Sequence, residues 1–212
     1  MTPRPARPVA QLYLVTPVLA DAGAAAAMLG PALAAGDVAA VLLRLAAADE
    51  RTLINRIKET APLVQERGAA LLLDGHSDLV VRAGADGAHV AGIAAVQEAI
   101  GALKPDRIVG AGGLASRHDA MLAAEAGADY VMFGEPDATG NRPSFEAIRE
   151  RVAWWAEVFE VPCVAYAASL AEIGDLAAAE FIALGPSILA DPRGPAAAVA
   201  DAAARLTAET LA

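Results

Sequence analysis

Few side chains in this chain suit polar chemistry, and several of them close short apolar runs. Arg44 follows Val41-Leu42-Leu43, Asp74 follows Leu72-Leu73, and Tyr166 follows Val164-Ala165. An arginine grips a phosphate through parallel N–H donors, so Arg44 and Arg142 are candidate cations for a phosphorylated ligand. Asp74 is an oxygen ligand of the kind Mg²⁺ takes, or else caps the segment Asp74-Gly75-His76-Ser77. Glu135 offers a second carboxylate. His89, inside an apolar run, reads either as an acid–base catalyst or as a hydrogen-bonded core histidine. His76 is a loop histidine beside Asp74. Thr139 offers a hydroxyl to a phosphate, and Tyr166 an aromatic ring to fill a ligand pocket. Gly112 and Gly113 let a ligand approach the backbone, or only make a turn. The two lysines, Lys58 within a helical stretch and Lys104 before Pro105, sit where no strand-borne Schiff base is expected.

These residues must be positioned by a repeating unit. The phrase Gly84-Ala85-Asp86-Gly87-Ala88-His89-Val90 returns as Gly127-Ala128-Asp129-Tyr130-Val131-Met132-Phe133-Gly134, with a weaker echo at Ala179-Glu180-Phe181-Ile182. In the two full copies an Ala-rich helix ends, a glycine supplies the left-handed cap, and an apolar strand begins. Strands are predicted near 11–16, 39–45, 69–74, 87–92, 107–113, 130–135, 161–167 and 181–186. Most are continuous apolar runs, as in a parallel sheet covered by helices. Helical spacing runs through 51–66 and 145–159. Ser116 with Asp119, and Ser169 with Glu172, read as capping boxes, and Pro143 and Pro192 as helix starts. The pattern predicts an α/β fold, a single (β/α)8 TIM barrel over residues 11–212, preceded by a flexible N-terminal arm at 1–10. A doubly wound open sheet is the alternative, and eight evenly spaced strands favour closure. Barrel chemistry sits at the C-terminal ends of the strands.

Composition agrees. The 212 residues suit one domain, 56% hydrophobic but only 4% aromatic, so the core is built from Ala, Val, Leu and Ile. No apolar run reaches the roughly 18 residues of a membrane span, and no secretory signal is read at the N-terminus. The lone Cys163, in an apolar run, excludes a disulfide framework and points to the cytoplasm. A net charge of −10 with no basic stripe excludes nucleic acid as a partner. Exposed barrel helices leave a homodimer open.

The order of Leu12-Tyr13-Leu14-Val15-Thr16, Val41-Leu42-Leu43-Arg44, Leu72-Leu73-Asp74, the two Gly-Ala-Asp phrases and Gly134-x-Pro136-x-x-Thr139 resembles the thiamine phosphate synthase and thiazole tautomerase family. The resemblance spans nearly the whole chain. It implies a barrel that joins hydroxymethylpyrimidine diphosphate to thiazole phosphate, releasing pyrophosphate with the help of Mg²⁺. The expected partner is therefore a small phosphorylated pyrimidine or thiazole.

This chain departs from the family pattern at several tips. Of a diphosphate-holding Gln-x-Arg-x-Lys, only Arg44 remains between Leu42 and Ala46. Of two metal-binding carboxylates, Asp74 remains and the second position is Ala94. The tautomerase-like histidine aligns with Leu114, His118 lying further on within a helix. Thr139 and Arg142 match a Thr-x-Thr-Lys. The phosphate-binding Gly-Gly is replaced around Tyr166, and Pro186 before Ser187 removes one donor amide at the eighth tip. Glu135 stands where the family pattern is usually not acidic. Three readings follow: a working synthase, an eroded relative that binds a thiamine-related phosphate, or a tautomerase-like isomerase using His76, His89 or Glu135.

Overall fold

Eight strands pair side by side, each parallel to the next, and the last returns to the first. The chain is seen here in a computed structural model that describes residues 9–210. The expected N-terminal arm falls, over residues 1–8, outside the described residues. The strands are β1 (Gln11–Leu19), β2 (Val38–Leu45), β3 (Ala70–Asp74), β4 (Gly87–Ala91), β5 (Ile108–Gly112), β6 (Tyr130–Phe133), β7 (Cys163–Ala167) and β8 (Phe181–Leu184). Helices α1 (Ala22–Ala35), α2 (Glu50–Gln65), α3 (Val80–Ala83), α4 (Ile93–Leu103), α5 (Arg117–Ala126), α6 (Phe145–Val158), α7 (Pro186–Leu189) and α8 (Pro195–Thr210) surround them. This is a closed (β/α)8 barrel.

Alternation along each strand separates two cores. Leu12, Leu14, Val41, Leu43, Leu71 and Leu73 pack outward under the helices. Tyr13, Val15, Leu42, Leu72, Tyr130 and Met132 pack inward. The same period, carried two residues on from Leu42 and Leu72, brings Arg44 and Asp74 to the inner rim.

The repeated phrase has a physical cause at each of its parts. Gly84 and Gly127 end α3 and α5 in the left-handed conformation, at φ 76° and 108°. The following acid then holds the first amides of the strand next door. Asp86 Oδ2 accepts from the Leu71 N–H at 2.7 Å, and Asp129 Oδ2 from Val109 at 2.7 Å. In the weaker echo Glu180 Oε2 takes the Cys163 N–H at 2.9 Å. All three acids lie at the N-terminal foot of the barrel, away from the mouth.

Helix signals divide. Ser116 and Asp119 form the reciprocal capping box of α5. Ser169 caps nothing with its side chain, because Glu172 is drawn away by Arg142 and the Ala168 N–H. Two short 3-10 turns, Leu170–Glu172 and Gly174–Leu176, stand there in place of a full helix. Ser144 caps α6 just after Pro143, whereas Pro192 lies in the turn that precedes α8.

Candidate functional site

Two residues past the inner layer of β2 and β3, Arg44 and Asp74 meet. Arg44 Nε donates to Asp74 Oδ2 at 3.0 Å, and both side chains are about two-fifths exposed at 39%. The Arg44 backbone N–H is anchored on the Thr16 hydroxyl at 2.9 Å, so the guanidinium rises from a fixed base. Its two Nη groups have no protein partner among the described residues and border the mouth. The Asp74 carboxylate does not cap the turn at Ser77–Leu79; it orients Arg44 instead.

Beside Asp74, from its register partner His89 on β4, a hydrogen-bonded chain runs down into the barrel. His89 Nε2 lies 3.1 Å from Glu135 Oε2, and His89 Nδ1 lies 3.0 Å from the Tyr130 hydroxyl. Tyr130 Oη is in turn 2.9 Å from Tyr13 Oη. Glu135 Oε1 accepts the Gly113 N–H at 2.5 Å. Burial works against charge on His89, but the Glu135 carboxylate beside it outweighs that and holds the imidazole above its ordinary value. Burial likewise opposes charge on Glu135; His89, the Gly113 N–H and Arg44 overcome it, and the carboxyl sits below its ordinary value. Burial, with Tyr13, Glu135 and Asp74 nearby, pushes the Tyr130 phenol well up.

Glycines make room for this chain. A β-carbon on Gly112 would stand 2.1 Å from Glu135 Oε1 and 2.3 Å from His89 Nε2. One on Gly110 would stand 2.0 Å from the Tyr130 ring. The polar column therefore depends on strand β5 having no side chains at these two inward positions.

Arg44, Asp74, His89, Gly113, Glu135 and Tyr166 border one cavity of about 590 Å³, floored by Leu42 and Met132. The other expected site residues lie elsewhere or are engaged. Arg142 Nε donates to Gly134 O at 3.1 Å, Nη1 to both oxygens of Glu172 at 3.1 Å, and Nη2 to Tyr166 O at 3.0 Å. It ties the sixth loop to the seventh strand tip, with its guanidinium 5.6 Å from the Tyr166 ring centre. Thr139 donates to Asp137 within its own exposed loop. Ser187 donates to Ala168 O at 2.8 Å, joining the start of α7 to the loop after β7. The Gly112 amide lies in the strand, and the Gly113 amide is held by Glu135. Leu114, where the tautomerase-like histidine aligns, is buried under the helices. His76 precedes a 3-10 turn and does not border the cavity.

Tyr13 and Tyr130 were not singled out from the sequence, although their inward positions on β1 and β6 carried the signal. A phenol on the inner face of a barrel strand must find a hydrogen-bond partner there.

Comparison with known proteins agrees with the motifs. A family model described as thiamine monophosphate synthase matches residues 12–185. The thiamine-phosphate synthase of Rhodospirillum centenum is 43% identical over 196 residues, covering 90% of this chain and 95% of that protein. The Hyphomonas neptunium protein of the same name is 36% identical over 207 residues, covering 91% and 92%. Thiamine phosphate pyrophosphorylase from Pyrococcus furiosus superposes with a TM-score of 0.75 over 95% of this chain and 97% of that one, at 22% identity, a likeness of fold. With this barrel, these motifs in this order and relatives matched almost end to end, the chain belongs to the thiamine monophosphate synthase family.

Proposed function

We propose that the barrel is a thiamine phosphate synthase, joining hydroxymethylpyrimidine diphosphate to thiazole phosphate. The thiazole nitrogen forms a bond to the pyrimidine's methylene carbon. The carbon–oxygen bond to the diphosphate breaks, and the electron pair leaves with pyrophosphate. The observation that carries this reading is Arg44: a guanidinium whose Nη donors stay unengaged, at the mouth of a barrel whose relatives bear that activity's name.

Arg44 binds the diphosphate, and Asp74 holds Arg44 in place through Nε. Tyr166 and Met132 supply the apolar wall against which a flat ring rests. His89 and Glu135 border the same cavity as Arg44.

Mg²⁺ fits this rim through Asp74. Glu135 is held by His89 and the Gly113 N–H, and Ala94 offers no ligand atom, whereas Asp74 Oδ1 has no protein partner among the described residues. Among the described residues no three acids or histidines gather as a metal cage. Asp74 would hold the ion, with substrate oxygens and water completing its shell. When bound, it would neutralise charge on the departing diphosphate.

A second reading, binding without turnover, draws on the pairing of both rim arginines with carboxylates, Arg44 with Asp74 and Arg142 with Glu172. One assay separates the two. Purified protein is given both substrates with and without Mg²⁺, and thiamine phosphate is quantified. Product in the presence of metal supports the synthase. Folded protein that binds either substrate and yields no product overturns it in favour of the binder.

A further inference from the structure

Glu135 is an unusual carboxylate for a ligand cavity because both its oxygens are already fixed from within. Oε1 takes the Gly113 N–H at 2.5 Å, and Oε2 faces His89 Nε2 at 3.1 Å. The absent side chain of Gly112 leaves the space in which the two groups meet. A carboxylate has about four lone-pair sites, so each oxygen keeps a further acceptor direction. The Glu135 side chain is 21% exposed, against 3% for His89 behind it, so the carboxylate is the part of the pair a ligand meets. Arg44 borders the same cavity with its free donors.

A carboxylate fixed in this way is a poor base. Its charge is stabilised by His89, by a backbone N–H and by Arg44, and taking up a proton would break those contacts. It is correspondingly a strong acceptor of hydrogen bonds, since bonds to an ionised group are the stronger kind. The cavity therefore presents unengaged donors at Arg44 and a fixed acceptor at Glu135.

We infer that Glu135 is a specificity residue which accepts the N–H edge of an amino-substituted nitrogen heterocycle, while Arg44 takes that same ligand's phosphate. The His89–Glu135 pair is then a recognition device, not a proton-transfer dyad. His89 acts through Glu135 as a positioning residue. The inference rests on the synthase reading for the kind of ligand and goes further by naming the residue that selects it.

The test compares two probes by calorimetry on the full chain: 4-amino-5-hydroxymethylpyrimidine monophosphate and its counterpart lacking the amino group. The wild type is expected to favour the amino probe by about 10–100-fold, the worth of a hydrogen bond to a charged acceptor. In Glu135→Gln the preference is expected to fall to about 2–10-fold, the worth of a neutral acceptor, while both probes keep their dependence on Arg44. Equal binding of the two probes by the wild type, no binding of either, or an undiminished preference in Glu135→Gln would each overturn the inference. The wild-type comparison decides even where the variant does not fold. Turnover assayed in parallel keeps the two claims apart. An amino preference that depends on Glu135 in a protein making no thiamine phosphate sinks the synthase and leaves the recognition role standing. Product formation with a preference indifferent to Glu135 does the reverse.

Discussion

His89 and Glu135 lie 46 positions apart in the chain and 3.1 Å apart in space, one nearly buried and the other reaching the mouth. Between them passes strand β5, whose glycine at 112 is the gap through which they meet. Each member of the pair favours the charged form of the other, and the stability signature follows from the sign of each shift. His89 is raised above its ordinary 6.5, so its contribution is complete below that value and is lost as pH climbs through the raised one. Glu135 is lowered from its ordinary 4.5, so its contribution is complete above that value and is lost as pH falls through the lowered one. Asp74 and Arg44 face the pair as well and enter its electrostatics.

Wild type and Glu135→Gln should therefore differ most in stability between about pH 4.5 and 6.5, by about 1.5–3 kcal/mol. The difference should narrow at pH 9. Urea unfolding of both proteins at pH 5.5 and pH 9 measures it, and a gap unchanged between the two would show that the pair is not charged.

Gly112→Ala places a methyl group where Glu135 Oε1 and His89 Nε2 already are. Overpacking of this kind costs about 1–3 kcal/mol. The unfolding midpoint should fall, and the amino preference of the cavity should fall with it. A variant as stable as the wild type would mean that the pair moves aside freely.

Arg142 is expected to matter for stability before it matters for ligands. Its three nitrogens make four hydrogen bonds, to Gly134, Glu172 and Tyr166. A lysine cannot reproduce that fork. Arg142→Lys should therefore lose nearly as much as Arg142→Ala, on the order of 1.5–3 kcal/mol or more in denaturant unfolding. Full stability with lost phosphate affinity would make Arg142 a ligand contact.

Asp74 and Arg44 should fail differently. Arg44→Ala should weaken diphosphate binding about 10–100-fold, whatever the metal concentration. Asp74→Asn should lower the rate at low Mg²⁺ by a similar factor and recover in part as Mg²⁺ is raised. Initial rates across a Mg²⁺ titration distinguish them. A wild-type rate for Asp74→Asn at every concentration would remove Asp74 from the metal reading.

Much of this architecture is legible along the chain. The eight apolar runs are the eight strands within a residue or two at most ends, because each strand is buried on both faces and admits few polar residues. Arg44, Asp74, His89, Glu135 and Tyr166 converge because each lies at or near a strand tip. The pairings they make are less legible. Local spacing makes Glu172 a cap for its own turn, and only the folded chain brings Arg142, 30 positions earlier, close enough to draw it away. Thr139 looked like a ligand hydroxyl, but Asp137 two residues before it offers a local acceptor. Gly112 read as a ligand contact or a turn, whereas its neighbours in space are His89 and Glu135. Such contacts depend on which strands adjoin, and local pattern does not encode that distance.

The acids at the barrel's foot bear on how such a chain can change. Asp86, Asp129 and Glu180 each clasp the first or second amide of a neighbouring strand, at three seams around the end opposite the mouth. Closure is thus secured at the end away from the Arg44 cavity. Departures toward the mouth, such as Leu42, Ala46, Ala94 and Glu135, leave those clasps untouched. In this barrel the mouth can drift in sequence, and so in ligand preference, without asking the foundation to move.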